Sequence, residues 1–156
     1  MIFALYMILT FFICAALALL PRKLHLFEHI FNAMAFIYFY TYYFSILTNL
    51  KLVAVPEPTD QALLSIWIRF VIYPAVVLIY WNLYLSLRTI AAKAVSVVLA
   101  AGLLALLQNV SARAGALEQS DLVTAWSFAS WAGLLLLLIG PMLWFRRLAA
   151  KEVTLP

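Results

Sequence analysis

The chain has 156 residues, of which 68% are hydrophobic and 10% are charged, and its formal net charge is +4. Soluble domains carry about 25% charged residues, so this composition excludes an ordinary soluble domain. The ten basic residues are dispersed between apolar runs, which excludes the clustered basic face that nucleic-acid binding requires. Because Cys14 is the single cysteine, an intrachain disulfide and a cysteine-based metal cluster are excluded as well.

The apolar runs predict five membrane-spanning helices in an all-α, polytopic bundle that forms one domain over residues 1–156. The first run has no preceding positive charge of the kind that opens a signal peptide, so we expect it to be retained as a span. The fourth run is short and rich in alanine, and a re-entrant segment, leaving four spans, is the alternative there. The predicted spans are Ile2–Leu20, Ile30–Leu47, Ala62–Leu85, Val95–Val110 and Val123–Phe145.

The orientation follows from the basic residues in alternate loops, because short loops rich in Lys and Arg stay in the cytoplasm. Only Lys51 and Arg113 fall on one side of the predicted membrane. The N-terminus is therefore expected outside and the C-terminus in the cytoplasm. The basic residues of the other side are Arg22, Lys23, Arg88, Lys93, Arg146, Arg147 and Lys151.

Arg69 is the most informative residue, because it lies inside the third predicted span, where an ionised group needs a partner or water. On a helical wheel Ser65, Arg69 and Tyr73 share one face, which continues through two further tyrosines. We expect this face to point into the bundle. The second predicted span has a similar stripe, and so does the fifth; their residues are Tyr38, Tyr42, Ser45 and Asn49, and Trp126, Ser130 and Gly133.

Two interpretations of Arg69 follow from these stripes. In the first, the stripes line an outward-facing pocket in which Arg69 binds a planar anion, with Tyr73, Tyr42 and Ser130 as further ligand-binding residues. In the second, Arg69 extends to an acidic loop residue and the hydroxyl groups join helices. The acidic residues within reach are Asp60, Glu118 and Asp121. Pro74 removes the backbone hydrogen bond to the carbonyl of Phe70, which predicts a kink in the same span, with an ion ligand at that carbonyl as the alternative.

His25 and His29 lie four residues apart with Glu28 between them, a spacing that places both imidazoles on one helical face. They are weak candidates for a metal site, since no third ligand is apparent and the zinc-protease pattern is absent. We therefore expect no metal, no other cofactor and no catalytic residue. Interfacial anchoring is the simpler interpretation of this segment.

Small residues recur every four positions in the last two spans, at Ala101 and Ala105 and at Ala125, Ala129 and Gly133. Such stripes permit close approach of helices, either within one chain or between protomers. Both arrangements remain open from the sequence.

A resemblance to a known family rests on two segments of the chain. They are RFVIYPAVVLIYWNLY at residues 69–84 and TAWSFASWAGLLLL at residues 124–137. They resemble an uncharacterised family of small multispanning membrane proteins of spore-forming Firmicutes. The resemblance implies a helical architecture and a bacterial plasma membrane. It implies no activity for any residue.

These observations favour a non-enzymatic membrane protein that acts as a structural or complex-forming component, with membrane lipids and a homo-oligomer or larger membrane complex as partners. A small transporter, channel or lipid-binding protein using the Arg69 pocket is the alternative. A lipid-modifying enzyme at His25, Glu28 and His29 comes third. The chain lacks the nucleotide loop of an energy-coupled pump.

Overall fold

The computed structural model describes residues 2–19, 26–56 and 59–152, which form an all-α architecture of five helical rods. The third rod is continuous but changes from α-helix to π-helix and back. In chain order the elements are α1 (Ile2–Leu19), α2 (Leu26–Asn49), β1 (Val53–Ala54), α3 (Thr59–Trp67), a π-helical turn (Ile68–Ile72), α4 (Tyr73–Ser86), α5 (Ile90–Arg113), β2 (Glu118–Gln119) and α6 (Asp121–Glu152).

Four of the rods are long and apolar enough to cross a membrane: α2, the α3–α4 rod, α5 and α6. The described apolar part of α1, Phe3–Leu19, is shorter. The segment with a re-entrant alternative belongs to α5, a continuous helix of 24 residues. Helical rise makes α5 about 36 Å long, more than the hydrocarbon core of about 30 Å. Thr89 is the N-cap of α5, because the Thr89 side chain accepts a hydrogen bond from the backbone N–H of Ala92 at 3.2 Å.

The π-helical turn lies immediately before Pro74. Here the backbone N–H of Tyr73 donates to the carbonyl of Ile68, five residues back rather than four. Because Pro74 has no N–H, the hydrogen-bond ladder must change at this point in any case. The irregularity predicted at Pro74 therefore takes the form of a wider turn, and Arg69 lies within it.

A two-stranded antiparallel sheet joins the α2–α3 loop to the α5–α6 loop. Val53 pairs with Gln119 and Ala54 with Glu118. The backbone N–H of Ser120 adds a hydrogen bond to the carbonyl of Leu52 at 2.9 Å. Under the strands, a small apolar cluster of Val53, Leu117 and Val123 seals this end of the bundle.

At the opposite end, the start of α2 meets the end of α6. Glu28 is buried, and its Oε1 lies 3.7 Å from Nε of Arg146. The rings of Phe31 and Phe145 stack beside this pair, with centroids 4.1 Å apart. The two helices therefore run antiparallel.

The centre of the core is aromatic and is built around Trp131 of α6. Its ring stacks on Tyr40 at 5.3 Å and on Phe36 at 6.3 Å, and it meets Tyr73 edge-on at 5.0 Å. Trp131 is 2% exposed. This cluster joins α2, α4 and α6, while the most extensive helix packing is between α5 and α6.

The two small-residue stripes have different places in the fold. Ala101 and Ala105 of α5 are buried in the core, so this seam closes the bundle internally. Ala125, Ala129 and Gly133 are exposed on the outer face of α6. An added Cβ at Gly133 meets nothing within 4 Å.

Candidate functional site

Arg69 is half-buried, and its guanidinium is held by contacts to backbone and ring atoms. Its Nε donates to the carbonyl oxygen of Ser65 at 3.2 Å. Its Cζ lies 4.2 Å from the centroid of the Phe44 ring, which is the geometry of a cation–π interaction. The ring of Phe44 on α2 and the carbonyl of Ser65 on α3 thus stabilise the charge, and no carboxylate of the described residues forms an ion pair with it.

Three acidic loop residues are the predicted counter-ions of Arg69. Among the described residues, the carboxylates of Asp60, Glu118 and Asp121 all lie beyond ion-pair distance of Arg69. The interpretation in which Arg69 extends to one of them is therefore wrong for this structure. The electron-rich face of the Phe44 ring attracts the guanidinium, and this attraction offsets part of the hydration energy that Arg69 loses on burial.

Arg69 opens onto a small cleft between α2, the third rod and the end of α5. Its volume is about 10 Å³, about the space that one water molecule needs. Ser65 is buried in its wall, and the Ser65 Oγ has no hydrogen-bond partner among the described residues. The cleft is lined by Tyr40, Ser65, Ile68, Arg69, Tyr73, Ser111, Ala116 and Leu117.

The far wall of the cleft is set by the way in which α5 ends. Gly115 has φ 76, a left-handed conformation that glycine adopts without strain. The N–H groups of Gly115 and Ala116 then donate to the carbonyls of Ala112 and Ser111 at 3.0 and 2.9 Å, which is a Schellman motif. This turn places Ala116 and Leu117 against the cleft.

The structure brings together two of the four predicted ligand-binding residues. Arg69 and Tyr73 line the same cleft. Tyr42 is 65% exposed on the outer face of α2, and Ser130 is half-buried on α6; neither lines the cleft. A carboxylate or phosphate group needs more room than this space offers.

The three predicted stripes differ in direction. Ser65, Tyr73 and Tyr80 of the third rod are buried, as expected. The stripe of α2 points outward, since its buried face carries Glu28, Asn32, Phe36 and Tyr40 instead. On α6, Trp126 is 61% exposed and Trp131 takes the inward position. The pocket predicted from three converging stripes is therefore not formed.

The structure describes only part of the histidine segment. His25 lies outside the described residues, and His29 is half-buried near the start of α2. Within the described ranges, no three His, Cys, Asp or Glu side chains are close enough to hold a metal ion. Glu28 between the histidines faces Arg146 of α6.

A network of amide side chains connects α5, β2 and α6 near the sheet. Gln119 of β2 accepts a hydrogen bond from Gln108 at 2.9 Å and donates to Asn109 at 2.9 Å. Gln108 in turn accepts from the indole N–H of Trp131 at 2.7 Å. Because each of these buried or half-buried amides has a partner, the network stabilises one arrangement of the loop.

Helix α1 is attached through two side-chain hydrogen bonds. The hydroxyl of Tyr6 lies 2.9 Å from Oγ of Ser111 on α5, and the indole N–H of Trp67 donates to Oγ1 of Thr10 at 3.0 Å. Ser111 also donates to the carbonyl of Leu107, so Tyr6 is the donor toward Ser111. Both contacts lie in the first half of α1.

Sequence reasoning missed Phe44, Tyr40 and Gln119 as neighbours of the site or its supporting network. Phe36, Tyr40 and Phe44 follow one another at intervals of four, a spacing typical of one helical face. That signal was available, but aromatic residues occupy the other faces of α2 as well. Gln119 carried no signal for its contacts with α5, since Gln108 and Asn109 lie ten or more residues away.

No protein-family model, curated protein or solved structure matches this chain. The resemblance to small multispanning proteins of Firmicutes therefore stays a prediction. The four long apolar helices fit a membrane protein.

Proposed function

We propose that this protein is a non-enzymatic, multi-pass component of the cell membrane that assembles with itself or with a larger membrane complex. In this proposal α1 completes a set of five spans, with the N-terminus outside and the C-terminus in the cytoplasm. The basic residues Arg88, Lys93 and Arg146 mark the cytoplasmic end. The β1–β2 sheet then lies at the outer surface.

The outward-facing stripe of α2 carries this proposal. Tyr38 and Tyr42 are 69% and 65% exposed, and Thr41 and Ser45 beside them are exposed too. Tyr38 lies twelve residues from the start of α2, about 18 Å along its axis and near the middle of the helix. Hydroxyl groups at that depth favour a partner helix over lipid, because hydrocarbon offers them no hydrogen bond.

The exposed stripe of Ala125, Ala129 and Gly133 on α6 supports the same proposal. Small residues on a lipid-facing surface permit close backbone approach by another helix. The tight seam at Ala101 and Ala105 already closes the bundle on its inner side. A second small-residue seam on the outside thus serves contacts between chains.

Replacing Tyr38 and Tyr42 together by Phe tests the proposal. We expect the wild-type chain in native-lipid nanodiscs to retain a second copy or a partner protein, and the double variant to lose most of it. Hydrogen bonds between membrane helices contribute about 0.6–2 kcal/mol each, so the loss of two weakens assembly by about tenfold or more. Native mass spectrometry measures the stoichiometry.

Tyr43→Phe is the matched control, because it makes the same chemical change on the half-buried side of α2. Its stoichiometry should equal that of the wild type. A wild-type chain that is strictly monomeric and retains no partner would remove the proposal.

The Arg69 cleft favours a second candidate function, the binding of a small anion. The observation behind it is the buried Ser65 hydroxyl, which has no hydrogen-bond partner within the part of the chain that the structure describes. A volume of about 10 Å³ restricts the anion to one about the size of water, such as chloride. This is a narrower site than the carboxylate or phosphate pocket predicted from the sequence.

Chloride should raise the thermal unfolding temperature relative to gluconate at equal ionic strength, because a ligand of the folded state stabilises it. The increase should vanish in Arg69→Gln and persist in Arg113→Gln, which removes an exposed charge at the end of α5. An equal increase in all three proteins contradicts anion binding at Arg69.

A further inference from the structure

A long apolar groove runs between α1, α4 and α5, away from the Arg69 cleft. Its volume is about 360 Å³, within the range of small-molecule sites in proteins, about 300–1,000 Å³. Val76, Tyr80 and Ala100 form a buried floor, while Leu83, Leu99 and Leu103 are exposed along the rim. The groove is therefore open sideways toward the surroundings of the helices.

The groove has the length of one lipid leaflet. Its lining on α5 extends from Ser96 to Leu107, eleven residues or about 16 Å along the helix. Half of a hydrocarbon core of about 30 Å is about 15 Å. A single extended acyl chain that enters from one leaflet fits these dimensions.

Positive charge marks one end of the groove. Lys93 lies three residues before Ser96 on α5, and the Ser96 hydroxyl donates to the Lys93 carbonyl at 2.7 Å. The Lys93 Nζ lies 5.1 Å from the centroid of the Tyr84 ring. The exposed Arg88 lies in the short α4–α5 connection, just before the first turn of α5 that carries Lys93. The chain around this end of the groove therefore carries two cationic residues.

Tyr80 supplies a polar group inside the otherwise apolar floor. It is 4% exposed, and its hydroxyl has no hydrogen-bond partner among the described residues. Tyr80 packs against Tyr84 with ring centroids 5.7 Å apart, so it lies toward the Lys93 end. A glycerol ester carbonyl provides the acceptor that this buried donor lacks.

We propose that the groove binds one acyl chain of an anionic phospholipid, with its phosphate beside Lys93 and Arg88 and an ester carbonyl at Tyr80. The occupant comes from the leaflet on the Lys93 side. This site uses α1, α4 and α5, whereas the proposed assembly surface uses α2 and α6, so either can fail without the other.

The test counts lipids retained by the full chain after transfer from nanodiscs of mixed phosphatidylglycerol and phosphatidylcholine, by native mass spectrometry. We expect the wild type to retain one phosphatidylglycerol per chain. Ala100→Phe fills the floor and should reduce retention at least tenfold. Leu83→Trp blocks the groove from its exposed rim, so it tests the same point in a position where folding is not at risk.

Lys93→Gln should lower the preference for phosphatidylglycerol over phosphatidylcholine about fivefold, while an acyl chain is still retained. Ala94→Phe, on the exposed side of α5, and Arg147→Gln, at an exposed position near the end of α6, are the matched controls and should behave as the wild type. Unchanged retention in both Ala100→Phe and Leu83→Trp, or an unchanged preference in Lys93→Gln, overturns the proposal.

Discussion

Trp131→Ala is expected to lower the free energy of unfolding by about 3–5 kcal/mol, the usual effect of removing a buried tryptophan. The ring holds α2, α4 and α6 together through Tyr40, Phe36 and Tyr73. Its removal leaves a cavity at the point where these three helices meet, and lipid cannot fill it. Reversible unfolding in mixed micelles, followed by circular dichroism, measures the change.

Trp126→Ala is the control, because Trp126 lies five residues away on the same helix but is 61% exposed. Its effect should stay within about 0.5 kcal/mol. Trp131→Phe then separates packing from hydrogen bonding, since it keeps a ring but removes the N–H that Gln108 accepts at 2.7 Å. We expect that variant to lose about 1–3 kcal/mol. Equal effects of Trp131→Ala and Trp126→Ala contradict the central position of Trp131.

Ala101→Leu is expected to destabilise the chain by about 1–3 kcal/mol, the usual cost of extra methylene groups in a packed core. Ala101 is fully buried on the inner face of α5, where it permits close packing. A larger side chain pushes α5 outward and strains the amide network that begins at Gln108. The same unfolding experiment measures the loss.

Ala94→Leu makes the identical change on the exposed side of α5. Since leucine and alanine are both good helix formers, its effect should be within about 0.5 kcal/mol. If Ala101→Leu proved as stable as Ala94→Leu, the seam at Ala101 would not be tightly packed, and the internal role of this small-residue stripe would be wrong.

The sequence predicted the all-α class and the approximate position of every rod, because long apolar runs separated by Pro, Gly and charged residues leave few alternatives. It also predicted which face of the third rod points inward, since Arg69 identifies that face. The second rod gave the opposite result. Tyr38 and Tyr42 point outward and Phe36 and Tyr40 inward, although all four are aromatic.

The inward face of α2 was hard to predict because of the solvent around a membrane helix. In water an apolar face must turn inward, so periodicity reveals burial; in lipid the outside is as apolar as the core, and periodicity loses that meaning. The β1–β2 pairing could not be predicted from the sequence either. It joins Val53 to Gln119, which lie far apart in the sequence. Strands of two residues also carry no local pattern that could be recognised.

The strand pairing links the α2–α3 loop to the α5–α6 loop, and the short α4–α5 connection links the rods between them. Neither link includes α1. Within the described residues, the two side-chain hydrogen bonds between α1 and other helices involve Tyr6 and Thr10, both in its first half. Ile13, in the second half, forms part of the groove wall. In the proposed lipid site, the position of the second half of α1 therefore sets the width of the groove entrance.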